Sequence, residues 1–547
     1  MQENPRRGTP RPGSAAGGDS GWGRFAARSG FVLLAVLVGL AGRRVGGLLA
    51  SSLLVAAPAA AIGLALGLVV ALGVAKSRAP GRRVALAAVS ALVLLPLHLV
   101  ATGWLAALGD LGWLSQWLAG SGPSRGWLIG YPGAIALHAL YAAPWAALLA
   151  TAALAAVDSR REEQALLDAG PLSVLWRVTL REAAPALAAI GALLAVLAAT
   201  EIAATDLLGV RTFAEEVYIQ AAAGQLTGPA EGGGRLRLAA GVGALGLVAA
   251  AALGVLALRL APLVETPHTK PWRLSRRESW PLGVATWLLT GLLLIAPIAS
   301  LIITAGVGVE IIDEQPERRW SLAKAVQTVA AAPWQHRREL GVSLRLACAV
   351  ATGATLLGGA IAWRLRRGGA LGAIGCVLLA IAVAIPGPVV GVWVIRLLNQ
   401  PLDSPLAWLG ELYGTWFAPW LAQTLRITPA LALLLWPAAA RVADDLLDAA
   451  RTDGAGPLGR VLRVTGPLCL PALVAAWCVG FALSLGELSA TVLVVPPGTP
   501  PLSVRLLSLL HYGVEDRVAA IGLVLVAAAL LISGVVIRLL PARGKLG

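Results

Sequence analysis

Apolar runs about as long as a membrane helix, separated by short polar stretches, occupy nearly the whole chain. The clearest are Val84–Ala106, Tyr131–Val157, Leu238–Leu258, Pro281–Gly306, Ala370–Ile395 and Val518–Ile537. About 20 consecutive apolar residues cross the hydrocarbon core as one helix. Strands of a transmembrane barrel would instead alternate apolar and polar positions, and no such alternation is present. The pattern predicts spans near 50–75, 84–106, 131–157, 184–209 and 238–258 in the first half. In the second half it predicts spans near 281–304, 341–363, 370–395, 416–440, 468–494 and 518–538. A short run, Phe31–Ala41, completes six plus six. The expected fold is an all-α polytopic membrane protein of about 12 helices in two repeats.

One polar segment occurs twice. "DAGPLSVLWRVTLREAAPALAAI" starts at Asp168, and "GAGPLGRVLRVTGPLCLPALVAAW" starts at Gly454. An offset of 286 carries Ala169–Leu172 onto Ala455–Leu458 and Arg177–Thr179 onto Arg463–Thr465. It also carries Glu201 onto Glu487. Six spans separate the copies, so the repeats are parallel and equivalent loops share one membrane face. The domains follow: a disordered tail 1–30, a first repeat 31–262 with its loop at 158–183, and a linker 263–280. A second repeat 281–541, with its loop at 441–467, and a tail 542–547 complete the chain.

Composition narrows the class. Only 13% of the 547 residues are charged against 57% hydrophobic, far from the soluble average of about 25% charged. The net charge of +15 reads as a topology signal in short loops and not as a nucleic-acid surface. "KSRAPGRR" (76–83), "RLRR" (364–367) and "KPWRLSRR" (270–277) are expected on the cytoplasmic side, together with both repeated loops and both termini. The loop 305–340 then falls outside despite its basic residues, which is against the rule. Cys348, Cys376, Cys469 and Cys478 have no ligand-like spacing, and no metal site or cofactor is expected.

In the second loop "RVADDLLDAARTD" (441–453) suits a helix, with Val442, Leu446, Ala449 and Ala450 on one stripe. Gly454 suits the helix end, and Pro457 the first turn of a second helix. A helix, a bend and a second helix lie beneath the membrane, as a handle for a partner's groove. Two handles on one face call for a two-fold or pseudo-two-fold partner.

This segment resembles the EAA loop of ATP-binding-cassette importer permeases. Asp448, Ala449 and Ala450 stand at the Glu-Ala-Ala positions, Gly454 at the glycine, Val464 at the aliphatic position, and Gly466-Pro467 at Leu-Pro. In the first copy Glu162, Glu163 and Gln164 take the Glu-Ala-Ala positions and Asp168 replaces the glycine. Gly170 supplies the bend before Pro171; Val178 aligns with Val464, while Arg181 replaces the proline. Nearly the whole chain resembles double-length permeases of the ferric-iron and thiamine importer type. That resemblance implies a separate ATPase, in two copies, gripping the two loops, and an extracytoplasmic binding protein delivering substrate. It implies a bacterial inner-membrane location and ferric iron as substrate, with thiamine, polyamine or phosphonate as alternatives. No GxxxxGK[ST] phosphate loop and no catalytic set is present, so the chain is expected to carry no enzymatic site. An ion-driven secondary transporter is the competing class.

Three charged residues fall inside apolar runs: Glu201, Glu487 and Arg426. Carboxylates there are costly unless paired or wetted. They are candidates for the pathway between the halves, with Arg426 able to pair with Glu487. Glu201 and Glu487 equally suit helix ends.

Overall fold

The computed structural model describes residues 19–110, 112–119, 126–223, 234–260, 272–312, 315–367, 369–512 and 514–539. Within them nine helices are long and apolar enough to cross a membrane, or ten if one bent pair forms a single span. These are Gly42–Ala75, Leu97–Ala119, Gly130–Ala155, Pro171–Ala199, Arg237–Val255, Ser279–Gly306, Arg337–Leu365, Pro457–Gly486 and Glu515–Gly534. The bent pair is Ile374–Ala384 with Gly387–Leu398, turned by 100°. Phe417–Ala440 is a further 24-residue helix. Its mean hydropathy is lowered by Gln423, Thr424 and Thr428, but these are buried against other helices and not shown to lipid.

Several expected boundaries move. The helix containing Phe31–Ala41 starts at Asp19, inside the stretch read as a tail, and kinks at Gly42, whose φ of 73° favours glycine. The expected run 84–106 is two helices, Arg82–Val93 and Leu97–Leu108, broken before Pro96. Its counterpart 370–395 breaks before Pro386, 290 residues later by subtraction. Proline cannot donate the helix hydrogen bond, and it disfavours helical geometry in the preceding residue. Hydropathy runs straight through such a break because the flanking residues stay apolar. The spans expected to end at 209 and 494 end at Ala199 and Gly486. The tail 1–18 and 542–547, and linker residues 261–271, lie outside the described residues.

The two halves repeat in structure as well as sequence. Gly42–Ala75 packs on Gly130–Ala155 and Pro171–Ala199 as Arg337–Leu365 packs on Phe417–Ala440 and Pro457–Gly486. Ser52 Oγ accepts from Phe213 N (2.9 Å) at the start of Phe213–Ala222. Ser343 Oγ accepts from Leu502 N (2.7 Å) at the start of Leu502–His511. The halves exchange contacts reciprocally: Gly234–Leu260 packs on Gly369–Ala384, and Glu515–Leu539 packs on Arg82–Val93. One unit of the second half lies apart from this scheme. Val307–Ile312 and Gln315–Trp320 form an antiparallel hairpin with Val307 opposite Trp320, followed by the amphipathic helix Leu322–Gln335. In this anomalous loop Lys324 Nζ pairs with Asp516 Oδ2 at 3.1 Å.

Candidate functional site

Both polar loops fold to one plan. Each has a short helix, Ser159–Ala165 or Asp444–Thr452, then a Gly-Pro step. Each then has a single turn, Pro171–Val174 or Pro457–Arg460, and a π-helical stretch, Leu175–Thr179 or Val461–Thr465. All the later boundaries recur at the 286 offset. π-helical turns are rare and cluster at functional positions. Recurrence at one register means both sequences impose the same distortion where the loop enters its span.

The second bend is a glycine-ended helix. Gly454 has φ 82°, its N–H bonds Arg451 O at 2.9 Å, and Ala455 N bonds Ala450 O at 2.9 Å. That pattern caps the last carbonyls and needs the left-handed region. The first loop lacks it. Gly170 has φ −66° and caps the following turn, as Gly456 does at −65°. Gly170 therefore does not replace Gly454, contrary to expectation. The first chain reversal runs through Leu166–Asp168 with ordinary backbone, Ala169 N bonding Ala165 O at 2.9 Å.

Each loop is anchored by the basic residue just past a long helix, Gly42–Ala75 or Arg337–Leu365, namely Lys76 or Arg366. Lys76 Nζ donates to Glu162 Oε1 and Oε2 at 2.6 and 2.8 Å, and Thr179 Oγ1 donates to Oε1 at 2.6 Å. Glu162 is 0% exposed. Burial pulls the Lys76 ammonium below its ordinary range, and Glu162 restores part of the loss. Arg366 instead donates to Val442 O (3.0 Å) and Asp444 Oδ1 (2.6 Å), with its guanidinium stacked 4.0 Å over the Trp363 ring. The hydrogen bond and charge of Arg366 hold the Asp444 carboxyl below the usual range. Asp448, the counterpart of Glu162, has a side chain 64% exposed and pairs only with Arg451 at 2.9 Å. Thr465, the counterpart of Thr179, has its Oγ1 unpartnered among the described residues.

The expected stripe on Asp444–Thr452 is divided. Val442 precedes the helix and is buried with Leu447 and Cys469, whereas Leu446 and Ala449 face out and Ala450 is half-buried. Val178 and Val464 are half-buried; Glu163, Gln164, Gly170, Pro457 and Pro467 are exposed. Sequence reasoning missed one pair of positions. Leu172 and Trp176 are 58% and 69% exposed, and their 286-offset counterparts Leu458 and Leu462 are 69% and 65% exposed. Spacing of four places each pair on one helix face. The signal was available as apolar residues between arginines, recurring in both copies.

The other predicted residues meet at the seam between the halves. Glu201 follows the Leu180–Ala199 helix and caps the next turn, accepting from Ala203 N (2.9 Å) and Ala204 N (3.2 Å). Glu487 does the same 286 residues on, accepting from Ala490 N and Thr491 N, each 3.1 Å, and from Thr491 Oγ1 at 2.6 Å. Both are helix-end carboxylates on turns and not residues of the spans. Half-buried Arg426 donates to Ile385 O, a carbonyl at the helix break before Pro386. Among the described residues it makes no ion pair within 4.0 Å, though the charges of Glu487 and Glu201 act on it. His138 Nε2, buried and without a hydrogen-bond partner among the described residues, is 3.9 Å from Glu201 Oε2. Gly486, beside Glu487, lies so near Pro96 of the first half that a Cβ would meet its Cγ at 2.6 Å.

Twin polar loops on a pseudo-symmetric helical bundle define a two-repeat, polytopic all-helical fold. Residues 354–543 match the family described as the binding-protein-dependent transport system inner membrane component, an ATP-binding-cassette importer permease domain. The chain is 34% identical over 149 residues to a 2-aminoethylphosphonate transport system permease protein of Salmonella paratyphi A, covering 27% of this chain and 54% of that protein. It is 28% identical over 207 residues to the putrescine transport system permease protein of Escherichia coli K12, covering 38% and 73%. It is 30% identical over 126 residues to a trehalose/maltose transport system permease protein of Thermococcus litoralis, covering 23% and 42%. The chain thus spans about half the length of the first of these relatives.

Proposed function

We propose that this chain is the membrane permease of a bacterial inner-membrane ATP-binding-cassette importer, with both termini and both loops cytoplasmic. A separate ATPase, in two copies, grips the loops at 158–183 and 441–467. An extracytoplasmic binding protein delivers the substrate to the opposite face. The observation that carries this reading is the repeated loop: one backbone plan, one offset, one exposed apolar pair in each copy. A handle of that kind converts motion of a paired motor into rocking of two halves. Glu201, Glu487 and Arg426 are read as lining the pathway between the halves. The chain itself contributes no ATP chemistry, which belongs to the partner.

The substrate is read first as ferric iron, from the resemblance of the whole double-length chain. The relatives favour a second reading. Two of the three named are transporters of small solutes that carry a primary amine, 2-aminoethylphosphonate and putrescine. ATP-driven uptake into proteoliposomes holding the chain, its ATPase and its binding protein tests both. Uptake of iron but not amines supports the first reading, and the converse supports the second. Uptake of either that persists without ATP and follows an ion gradient would sink the class.

A further inference from the structure

Beside the anchor of the first loop, where Leu274 N bonds Lys76 O, three guanidinium groups gather. Arg78 lies on the link 76–81, Arg82 opens the Arg82–Val93 helix, and Arg273 sits on the strap 272–275. Link and strap are tied to one another and to the following helix. Leu274 N bonds Lys76 O at 2.9 Å, Arg78 N bonds Ser279 Oγ at 2.9 Å, and Trp287 Nε1 bonds Pro80 O at 3.1 Å. Nη1 of Arg82 and Nε of Arg273 are buried and without a hydrogen-bond partner among the described residues. Burial first, then neighbouring arginines, pulls both guanidinium groups below the ordinary arginine range: Arg83 acts on Arg82, and Arg82 and Arg78 act on Arg273. Buried donors left unpaired, beside like charges, are costly unless an anion joins them.

The surroundings point to the source of that anion. A crevice of about 620 Å³ opens beside the cluster, lined by Arg276, Arg277, Trp280 and Pro281. From it an exposed apolar face runs along the Ser279–Gly306 span through Trp280, Val284, Trp287, Leu288, Leu292 and Ile295. Tryptophans mark the headgroup level of a bilayer, and basic pockets between spans bind phosphate headgroups. A soluble phosphate has no use for the apolar face, and neither has an acidic segment of a partner protein.

We propose that Arg78, Arg82 and Arg273 hold the headgroup phosphate of an anionic phospholipid whose acyl chains lie along Trp280 to Ile295. The bound lipid joins link 76–81 of the first half to the strap that opens the second. This depends on the Ser279–Gly306 helix being a membrane span and is independent of what the chain transports.

The test uses the full chain in detergent. Native mass spectrometry counts retained lipid during titration with phosphatidylglycerol, phosphatidylcholine or inorganic phosphate. Saturable binding of phosphatidylglycerol is expected, with phosphatidylcholine far weaker and millimolar phosphate failing to displace it. Arg82→Gln with Arg273→Gln should weaken binding roughly thirtyfold, about fivefold per charge. Arg364→Gln with Arg367→Gln removes the same charge from another loop and should leave binding unchanged. Equal losses in the two double variants, or no loss in the first, would overturn the proposal, as would displacement by phosphate alone. Should the glutamine variant not fold, photoreactive phosphatidylglycerol on the unaltered chain decides: cross-links must fall within 272–295, and cross-links only elsewhere refute the site.

Discussion

The two loops share a backbone and differ in what they do with one carboxylate. In the first, Glu162 turns inward to Lys76 and Thr179, and Val174 and Leu175 are buried beside it. In the second, Asp448 stays in solvent, and Val461, counterpart of Leu175, is exposed. The difference begins at the anchors. A lysine ammonium is a compact point charge that a single buried carboxylate can satisfy, whereas a guanidinium spreads its donors over a carbonyl, a carboxylate and a ring face. Arg366 directs Nη1 to Val442 O and Nη2 to Asp444 Oδ1, while Asp448 pairs with Arg451 at the surface. One handle is built into the wall of the molecule; the other is held out from it.

The largest expected effect comes from breaking the buried anchor. Lys76→Ala or Glu162→Gln leaves a charge or a donor unpaired in the interior and should cost about 3–5 kcal/mol, seen as a large fall in thermal unfolding temperature. Replacing both residues with methionine should recover most of that loss. A small effect of the single changes would erase the distinction between the loops. Next come the exposed apolar pairs. Leu458→Asp with Leu462→Asp should leave stability within about 0.5 kcal/mol, while association with the proposed ATPase partner weakens by roughly 2 kcal/mol or more. Co-purification at graded ATPase concentrations measures it, and Leu172→Asp with Trp176→Asp shows whether the embedded loop is gripped as firmly. Third, Gly454→Ala should cost about 1–2 kcal/mol, because φ 82° strains any residue with a Cβ. Gly170→Ala, in open space with ordinary φ, should cost less than about 0.5 kcal/mol by the same unfolding assay. The smallest effect is Asp448→Asn, whose exposed pair with Arg451 contributes at most about 0.5 kcal/mol.

The 286-residue offset and the Gly-Pro step of both loops were legible because they are local: apolar runs and a repeated string. Gly454 was legible for the same reason, since a helix end in this sequence demands a left-handed residue there. The role of Gly170 was not, because a glycine beside a proline suits either a left-handed bend or an extended cap. The breaks before Pro96 and Pro386 were hidden inside uninterrupted hydropathy, which averages over the one residue that cannot donate.

The sequence by itself determined that this chain is a two-repeat helical membrane protein with a polar loop recurring on one face, since burial of apolar runs and backbone preference act over a few neighbours. Tertiary structure alone decided that Glu162 is locked to Lys76 86 residues away, that Arg366 reaches Asp444 78 residues away, and that the link after the first-half helix is tied to the strap at Leu274. Such pairings depend on which helix ends packing brings within a few ångströms, and charge interactions at that distance carry no trace along the chain.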